Sequence, residues 1–121
     1  IRDSHVDEKD VEFSVAPFGV IGLETNLSIC LDRLVRPGII SLSRLVELFT
    51  TGPARVLNLP VGTLKTGAPG DLTVFHPKRP VTVRAQRFRS KARNTPFEGW
   101  RLRGRPVATI LGGAVLTRPK Q

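Results

Sequence analysis

A cluster of prolines and glycines over residues 60–71 divides the chain into two parts with different hydrophobic periodicity. Before it, apolar residues recur at spacings of three and four, which is typical of amphipathic helices. After it, short apolar runs and alternating residues are typical of strands. Because helices precede strands rather than alternating with them, the sequence predicts an α+β chain instead of a repeating βαβ fold. We place the boundary so that the parts are 1–62 and 63–121.

Three short amphipathic helices are predicted in the first part. The first spans residues 23–36 and ends at Pro37-Gly38, which cannot continue a helix. Ser41 is the predicted N-cap of the second helix, and Thr51 is that of the third, which carries Pro53 in its first turn. The predicted buried residues are Leu23, Leu27, Leu31, Leu34 and Val35 in the first helix, Leu42, Leu45, Val46 and Phe49 in the second, and Val56, Leu57 and Leu59 in the third. Nothing earlier in the sequence supplies a sheet on which these helices could pack.

The second part contains three short strand signals and a hairpin signal. Residues 72–75, 81–83 and 100–103 are apolar or alternating, as strands are. Residues 107–116 contain two β-rich runs joined by Gly112-Gly113, which indicates a β-hairpin with a tight turn. The second part is therefore predicted to be a small antiparallel sheet.

The net charge of +9 is concentrated in the second part. Residues 1–77 hold seven Lys/Arg against nine Asp/Glu, whereas residues 78–121 hold twelve Lys/Arg against Glu98 alone. Arg101 and Arg103 flank Leu102, which predicts a strand with one basic, solvated face. A basic half also admits nucleic-acid binding, but the aromatic residues do not interleave with the charges. A basic solvent face, or a face that meets an acidic partner or another part of a longer chain, is the preferred interpretation.

Targeting and redox signals are sparse. No apolar run is long enough for a transmembrane helix, and the charged N-terminus shows no signal peptide. The lone Cys30 cannot form an internal disulfide and is predicted to be a small apolar residue on a helix. These features predict a cytoplasmic protein with no membrane partner.

Two loops are candidates for chemistry, and one metal-site hypothesis is rejected. Residues 16–25 contain Pro17, Phe18, Gly19 and Gly22, and they form a loop that can present main-chain groups to a small polar ligand at a helix start. In residues 90–100, Lys91, Arg93 and Asn94 could bind a ligand, although ordering the carbonyls of a long loop is the favoured role. His5 and its neighbouring carboxylates do not form a converging zinc ligand set.

Several motifs together resemble type I dihydroorotases, zinc amidohydrolases of pyrimidine synthesis. Residues 16–25, preceded by Glu8-Lys9-Asp10, resemble the segment that follows that family's last metal-site motif. The downstream matches are residues 43–59 with the final barrel helices, residues 62–75 with the return into a small β domain, and residues 90–100 and 104–113 with the C-terminal tail. The resemblance implies an α+β fragment: the C-terminal helices of a TIM-barrel amidohydrolase followed by a small antiparallel β-sheet or sandwich domain.

The resemblance also implies a reaction, a cofactor and site residues. The family interconverts N-carbamoyl-L-aspartate and dihydroorotate with zinc held in the barrel. Phe18 and Gly19 match the loop whose main chain contacts the substrate; ordinary loop-to-helix packing is the alternative. Residues 1–4 do not match the motif with the last metal-ligating Asp, and Asp3 would replace it only after a deletion. We therefore expect no catalytic residue and no bound zinc in this chain, which alone should be inactive.

The implied partner is the N-terminal barrel portion or another subunit, and homo-oligomerisation is a further option. One alternative function is a non-catalytic dihydroorotase-like scaffold that assembles with aspartate transcarbamoylase. Another is a small basic nucleic-acid-binding protein. Gene length and salt-dependent binding would separate these hypotheses.

Overall fold

The computed structural model describes residues 11–16 and 18–117, in which helices come first and an antiparallel sheet follows. The elements are α1 (Asn26–Cys30), which continues into a π-helical turn (Leu31–Val35), α2 (Leu42–Phe49), α3 (Thr51–Val56), β1 (Leu72–Thr82), a 3-10 turn (Ala85–Arg87), β2 (Arg101–Leu111) and β3 (Ala114–Thr117). This order confirms the α+β prediction. In those ranges, no helix is both long enough and apolar enough to cross a bilayer.

The first helix is shorter than predicted, and its buried face is more polar. It begins at Asn26 rather than residue 23, and Leu23 is 88% exposed. The buried residues on this side are Thr25, Ser28 and Asp32, together with Leu31. The predicted apolar stripe is therefore only partly correct: Leu31 is buried as predicted, whereas Leu23 is exposed. Asp32 is buried instead, because its carboxylate accepts a hydrogen bond from the Arg103 N–H of β2. The stop at Pro37-Gly38 is confirmed, with Gly38 at φ +81°.

The caps of α2 and α3 follow local chemistry. The Ser41 hydroxyl accepts a hydrogen bond from the Arg44 N–H at 3.1 Å, so the predicted N-cap is confirmed. The N-cap of α3 is Thr50 rather than Thr51, and its hydroxyl donates to the Val46 carbonyl at 2.6 Å instead of capping α3. Pro53 lies in the first turn of α3, as predicted.

Most apolar residues of α2 and α3 are exposed. Leu45 is the buried residue of α2 and Ala54 that of α3, and the two helices contact each other. The residues predicted to be buried but found exposed are Leu42, Val46, Phe49, Val56, Leu57 and Leu59. The amphipathic pattern is present, but the described part of the chain contains no layer that covers these faces.

The sheet is a meander in the order β1-β2-β3, with both pairs antiparallel. The two strand signals at residues 72–75 and 81–83 join into the single strand β1, with an irregularity between His76 and Pro80. The predicted hairpin is confirmed: Gly112 (φ +56°) and Gly113 (φ +81°) form its turn. Both angles lie in the region that favours glycine.

The hairpin turn is attached to the start of β1. The Asp71 carboxylate accepts a hydrogen bond from the Gly112 N–H at 2.7 Å, and the Gly113 N–H donates to the Gly70 carbonyl at 3.0 Å. A Cβ on Gly70 would lie 2.9 Å from the Gly113 nitrogen, so this close approach requires glycine. Gly70-Asp71 thereby holds the far end of the β2–β3 hairpin.

The π-helical turn that continues α1 packs on strand β2 of the sheet. Leu31 packs against Gly104 of β2, and Leu31 and Leu102 are among the most buried side chains described. The Asp32 carboxylate accepts a hydrogen bond from the Arg103 N–H at 3.0 Å. Leu102 is buried while Arg103 beside it is exposed, which confirms the predicted alternation in β2. This contact fixes α1, and with it the loop before α1, against the sheet.

Gly104→Ala tests the close approach of helix and strand. An added Cβ would lie 2.5 Å from Leu31 Cδ1, and Gly104 has φ +102°. We expect a loss of about 2–5 kcal/mol from backbone strain plus overpacking, measured by denaturant unfolding. Gly67→Ala is the matched control, because Gly67 has φ +87° and open space around its Cβ position. That control should cost only about 1–2 kcal/mol, and equal losses would contradict the packing argument.

Asp32 variants test the polar contact separately. Asp32→Ala removes the acceptor of the Arg103 N–H and should destabilise the protein by about 1–3 kcal/mol. Asp32→Asn keeps an oxygen in the same place and should cost less than Asp32→Ala, although it loses the ion pairs to the exposed Arg33 and Arg36. Thermal unfolding of both variants makes the comparison. An equal loss in Asp32→Asn and Asp32→Ala would show that the charge, not the acceptor, matters.

Candidate functional site

The candidate site is the loop of residues 18–22, which lies exposed in front of α1. The Phe18 side chain is 89% exposed, and Gly19 adopts φ +95° with open space where a Cβ would lie. Ile21 is the buried side chain that attaches the loop to the protein. The Gly22 carbonyl accepts hydrogen bonds from the Thr25 and Asn26 N–H groups, which starts the helix. Pro17 lies outside the described residues.

Asn94 connects this loop to the segment of residues 89–94. Its side-chain Nδ2 donates to the Gly19 carbonyl at 3.0 Å. Its own carbonyl accepts a hydrogen bond from the Ile21 N–H at 3.3 Å. One residue therefore holds the loop through both its side chain and its main chain, across a sequence separation of about seventy residues.

Glu24 makes a second connection between the same two segments. Its carboxylate accepts hydrogen bonds from the Arg89 N–H (3.1 Å), the Ser90 N–H (3.0 Å) and the Ser90 hydroxyl (2.9 Å). Partial burial raises the pKa of Glu24, but the hydrogen bonds from Ser90 and Arg89 and the positive charge of Arg93 outweigh it. Together they hold the pKa of that carboxyl below its ordinary value of 4.5.

The loop of residues 90–100 is ordered by its own side chains. The Arg93 guanidinium donates to the Ser90 and Ala92 carbonyls, which confirms the structural role predicted for Arg93. Asn94 differs from that prediction, because the carbonyl that its side chain binds belongs to Gly19 rather than to its own segment. Lys91 is exposed. Sequence reasoning missed Glu24, since nothing near it in sequence points to a partner more than sixty residues away.

An aromatic and cationic cluster lies where the loop returns to the sheet. The Arg33 guanidinium lies 4.9 Å from the Trp100 ring centroid, and Trp100 meets Phe97 edge to face at 5.2 Å. The Val83 N–H donates to the Trp100 carbonyl, which extends the pairing just before β2. This cluster connects the π-helical turn to the end of the 90–100 loop.

The described residues do not by themselves fit a zinc ion. Across residues 11–16 and 18–117, no three His, Cys, Asp or Glu side chains converge as a metal site. His5 and Asp3 lie outside the described residues. The arrangement at Phe18 and Gly19 can present main-chain groups and hold them in place, and we derive no metal-dependent step from it.

The pH dependence of stability tests the Glu24 connection. Because its folded pKa lies below 4.5, the stabilisation is fully present above that pH and is lost as pH falls through the folded pKa. Glu24→Gln should therefore be less stable than the parent protein at about pH 6, with the difference shrinking towards about pH 3. The measurement is denaturant unfolding across pH. Glu12→Gln is the control, because the exposed Glu12 carboxylate makes no hydrogen bond to the described residues. A Glu24→Gln deficit independent of pH would contradict this assignment.

Comparison with known proteins assigns the chain to a family. Residues 21–116 match the amidohydrolase family. The dihydroorotase of Citrifermentans bemidjiense is 48% identical over 112 residues, covering 93% of this chain and 26% of that protein. The dihydroorotase of Solibacter usitatus is 51% identical over 108 residues, covering 89% of this chain and 25% of that protein. This chain thus spans about a quarter of the length of these relatives.

Solved structures give the same assignment. L-Hydantoinase from Arthrobacter aurescens superimposes with a TM-score of 0.82 at 35% identity, covering 89% of this chain and 24% of that one. D-Hydantoinase from a Bacillus sp. AR9 superimposes with a TM-score of 0.80 at 28% identity, covering 91% of this chain and 25% of that one. The fold, the family match and the dihydroorotase relatives together show that this chain belongs to the amidohydrolase family.

Proposed function

We propose that this chain is the C-terminal part of a type I dihydroorotase, which interconverts N-carbamoyl-L-aspartate and dihydroorotate. The observation that carries the proposal is 48% identity to a dihydroorotase over 93% of this chain. The hydantoinases that share the fold are less similar in sequence, at 28–35% identity. Dihydroorotase is therefore favoured over hydantoinase as the activity of the whole protein.

The proposed position is the end of the barrel and the small β domain that follows it. The chain spans about a quarter of its relatives, and the order of its motifs corresponds to the last barrel helices and then the β domain. The exposed apolar residues of α2 and α3 support this position, since an uncovered apolar face fits a helix that packs on other parts of a larger protein. We keep 1–62 and 63–121 as the proposed division.

The proposed role of the described residues is substrate positioning. Phe18 and Gly19 lie on an exposed loop whose main chain is held by Asn94, which supports contact between that main chain and a small polar substrate. The zinc of the family would be held by residues outside the described ranges, because those ranges contain no ligand set. Catalytic residues are accordingly not assigned within the described ranges.

The predictions of alternative functions, partners and cellular location have less support or none. No relative named above supports a scaffold or nucleic-acid-binding function, and no observation bears on aspartate transcarbamoylase or on a homo-oligomer. A partner that supplies the remaining barrel is supported by the length of the relatives. A cytoplasmic location stays a prediction that rests on Cys30 as a lone thiol.

Activity of the complete gene product tests this proposal. Purified with zinc, it should hydrolyse dihydroorotate and close N-carbamoyl-L-aspartate, whereas residues 1–121 alone should show no turnover, because hydrolysis needs a metal centre. Ultraviolet absorbance of dihydroorotate measures both directions. Hydantoin serves as the comparison substrate. A higher kcat/KM for hydantoin than for dihydroorotate would make the whole protein a hydantoinase instead.

A further inference from the structure

We propose that Asn94 is a positioning residue that sets the direction of the main chain in the substrate loop of residues 18–22. This inference rests on the proposed function, in which that main chain contacts the substrate. Asn94 itself lies in a different segment and acts through Gly19.

Few side chains of the loop are buried. Of residues 18–23, only Ile21 is buried, and Phe18 and Leu23 are almost fully exposed. Gly19 adopts φ +95°, which residues with a side chain rarely adopt. Because glycine has no Cβ, many other backbone conformations are also accessible to it. A glycine loop without packing would sample several conformations. The hydrogen bonds from Asn94 to Gly19 and from Ile21 to Asn94 restrict it to one.

The chemistry of the Asn94 side chain indicates that its donor is what matters. Its Oδ1 is buried and has no hydrogen-bond partner among the described residues, which is unfavourable for stability. An apolar side chain at this position would avoid that cost. Nδ2 must face Gly19, because the reversed amide would bring two oxygen atoms together at 3.0 Å. The role of the amide at residue 94 is therefore to donate a hydrogen bond to the Gly19 carbonyl.

That contact fixes a main-chain donor. The Gly19 carbonyl and the Val20 N–H belong to one planar trans peptide and point in opposite directions. With the Gly19 oxygen directed at the Asn94 side chain, the Val20 N–H is directed away from that side chain. Glu24 also holds the two segments together, because its carboxylate accepts hydrogen bonds from the Arg89 and Ser90 N–H groups.

Steady-state kinetics of the complete gene product test the proposal. Asn94→Asp keeps the size of the side chain but replaces the donor with an acceptor. Asn94→Ala removes the side-chain amide altogether. Each should raise KM for dihydroorotate about threefold to tenfold, the equivalent of one lost hydrogen bond, with the larger rise in Asn94→Asp. The value of kcat per folded enzyme should stay within about twofold, because a loop that only positions substrate contributes mainly to binding.

The controls separate positioning from folding. Asn58→Asp makes the same chemical change at an exposed residue in the turn after α3 and should leave KM unchanged. A purely structural role for Asn94 would lower the melting temperature and the yield of active enzyme while KM stayed at the parent value, and that result would overturn the inference. If the parent protein does not turn over dihydroorotate at all, the proposed function fails and this inference fails with it. An active parent with unchanged KM in both Asn94 variants refutes the inference alone.

Discussion

The attachment of one helical turn to one strand is the constraint on which the rest of the structure depends. Leu31 and Asp32 are adjacent in the π-helical turn, and both face β2. Leu31 approaches the strand because Gly104 has no side chain, and the Asp32 carboxylate satisfies the Arg103 N–H beside it. Apolar burial and polar pairing thus occur side by side at the same place. Helix and sheet can approach this closely only where the strand lacks a Cβ.

The geometry of the candidate site follows from that attachment. Once α1 is fixed on β2, the loop before α1 comes to lie beside residues 89–94, which precede the same strand. Polar contacts then join the two segments, from Gly19 and Ile21 to Asn94 and from Glu24 to the N–H groups of residues 89 and 90. The loop that is proposed to contact substrate is shaped by residues far from it in sequence. Its conformation is therefore a property of the whole fold rather than of its own glycines.

Local signals in the sequence predicted local structure correctly. The Ser41 cap, the stop at Gly38 and the hairpin turn at Gly112-Gly113 each depend on a few neighbouring residues, and each was found. Apart from the start of the first helix and the N-cap of α3, the failures concern distant partners. Asp32 is buried because β2 offers it the Arg103 N–H, and no periodicity in residues 23–36 contains that information. Glu24 and the Gly19 partner of Asn94 were missed for the same reason: these contacts exist only when two segments meet.

In α2 and α3 the apolar periodicity of the sequence does not match the burial of the side chains, and this difference has a physical explanation. These helices have the periodicity of elements with a covered apolar face, yet Phe49, Val56 and Leu57 are exposed in the described structure. Relatives about four times as long offer an explanation under the proposed function, because the remaining three quarters could supply the cover. The contacts within this chain that shape the loop are instead mostly polar. In this view, polar residues set the local geometry of the site, whereas exposed apolar residues attach that site to the part of the protein that carries the chemistry.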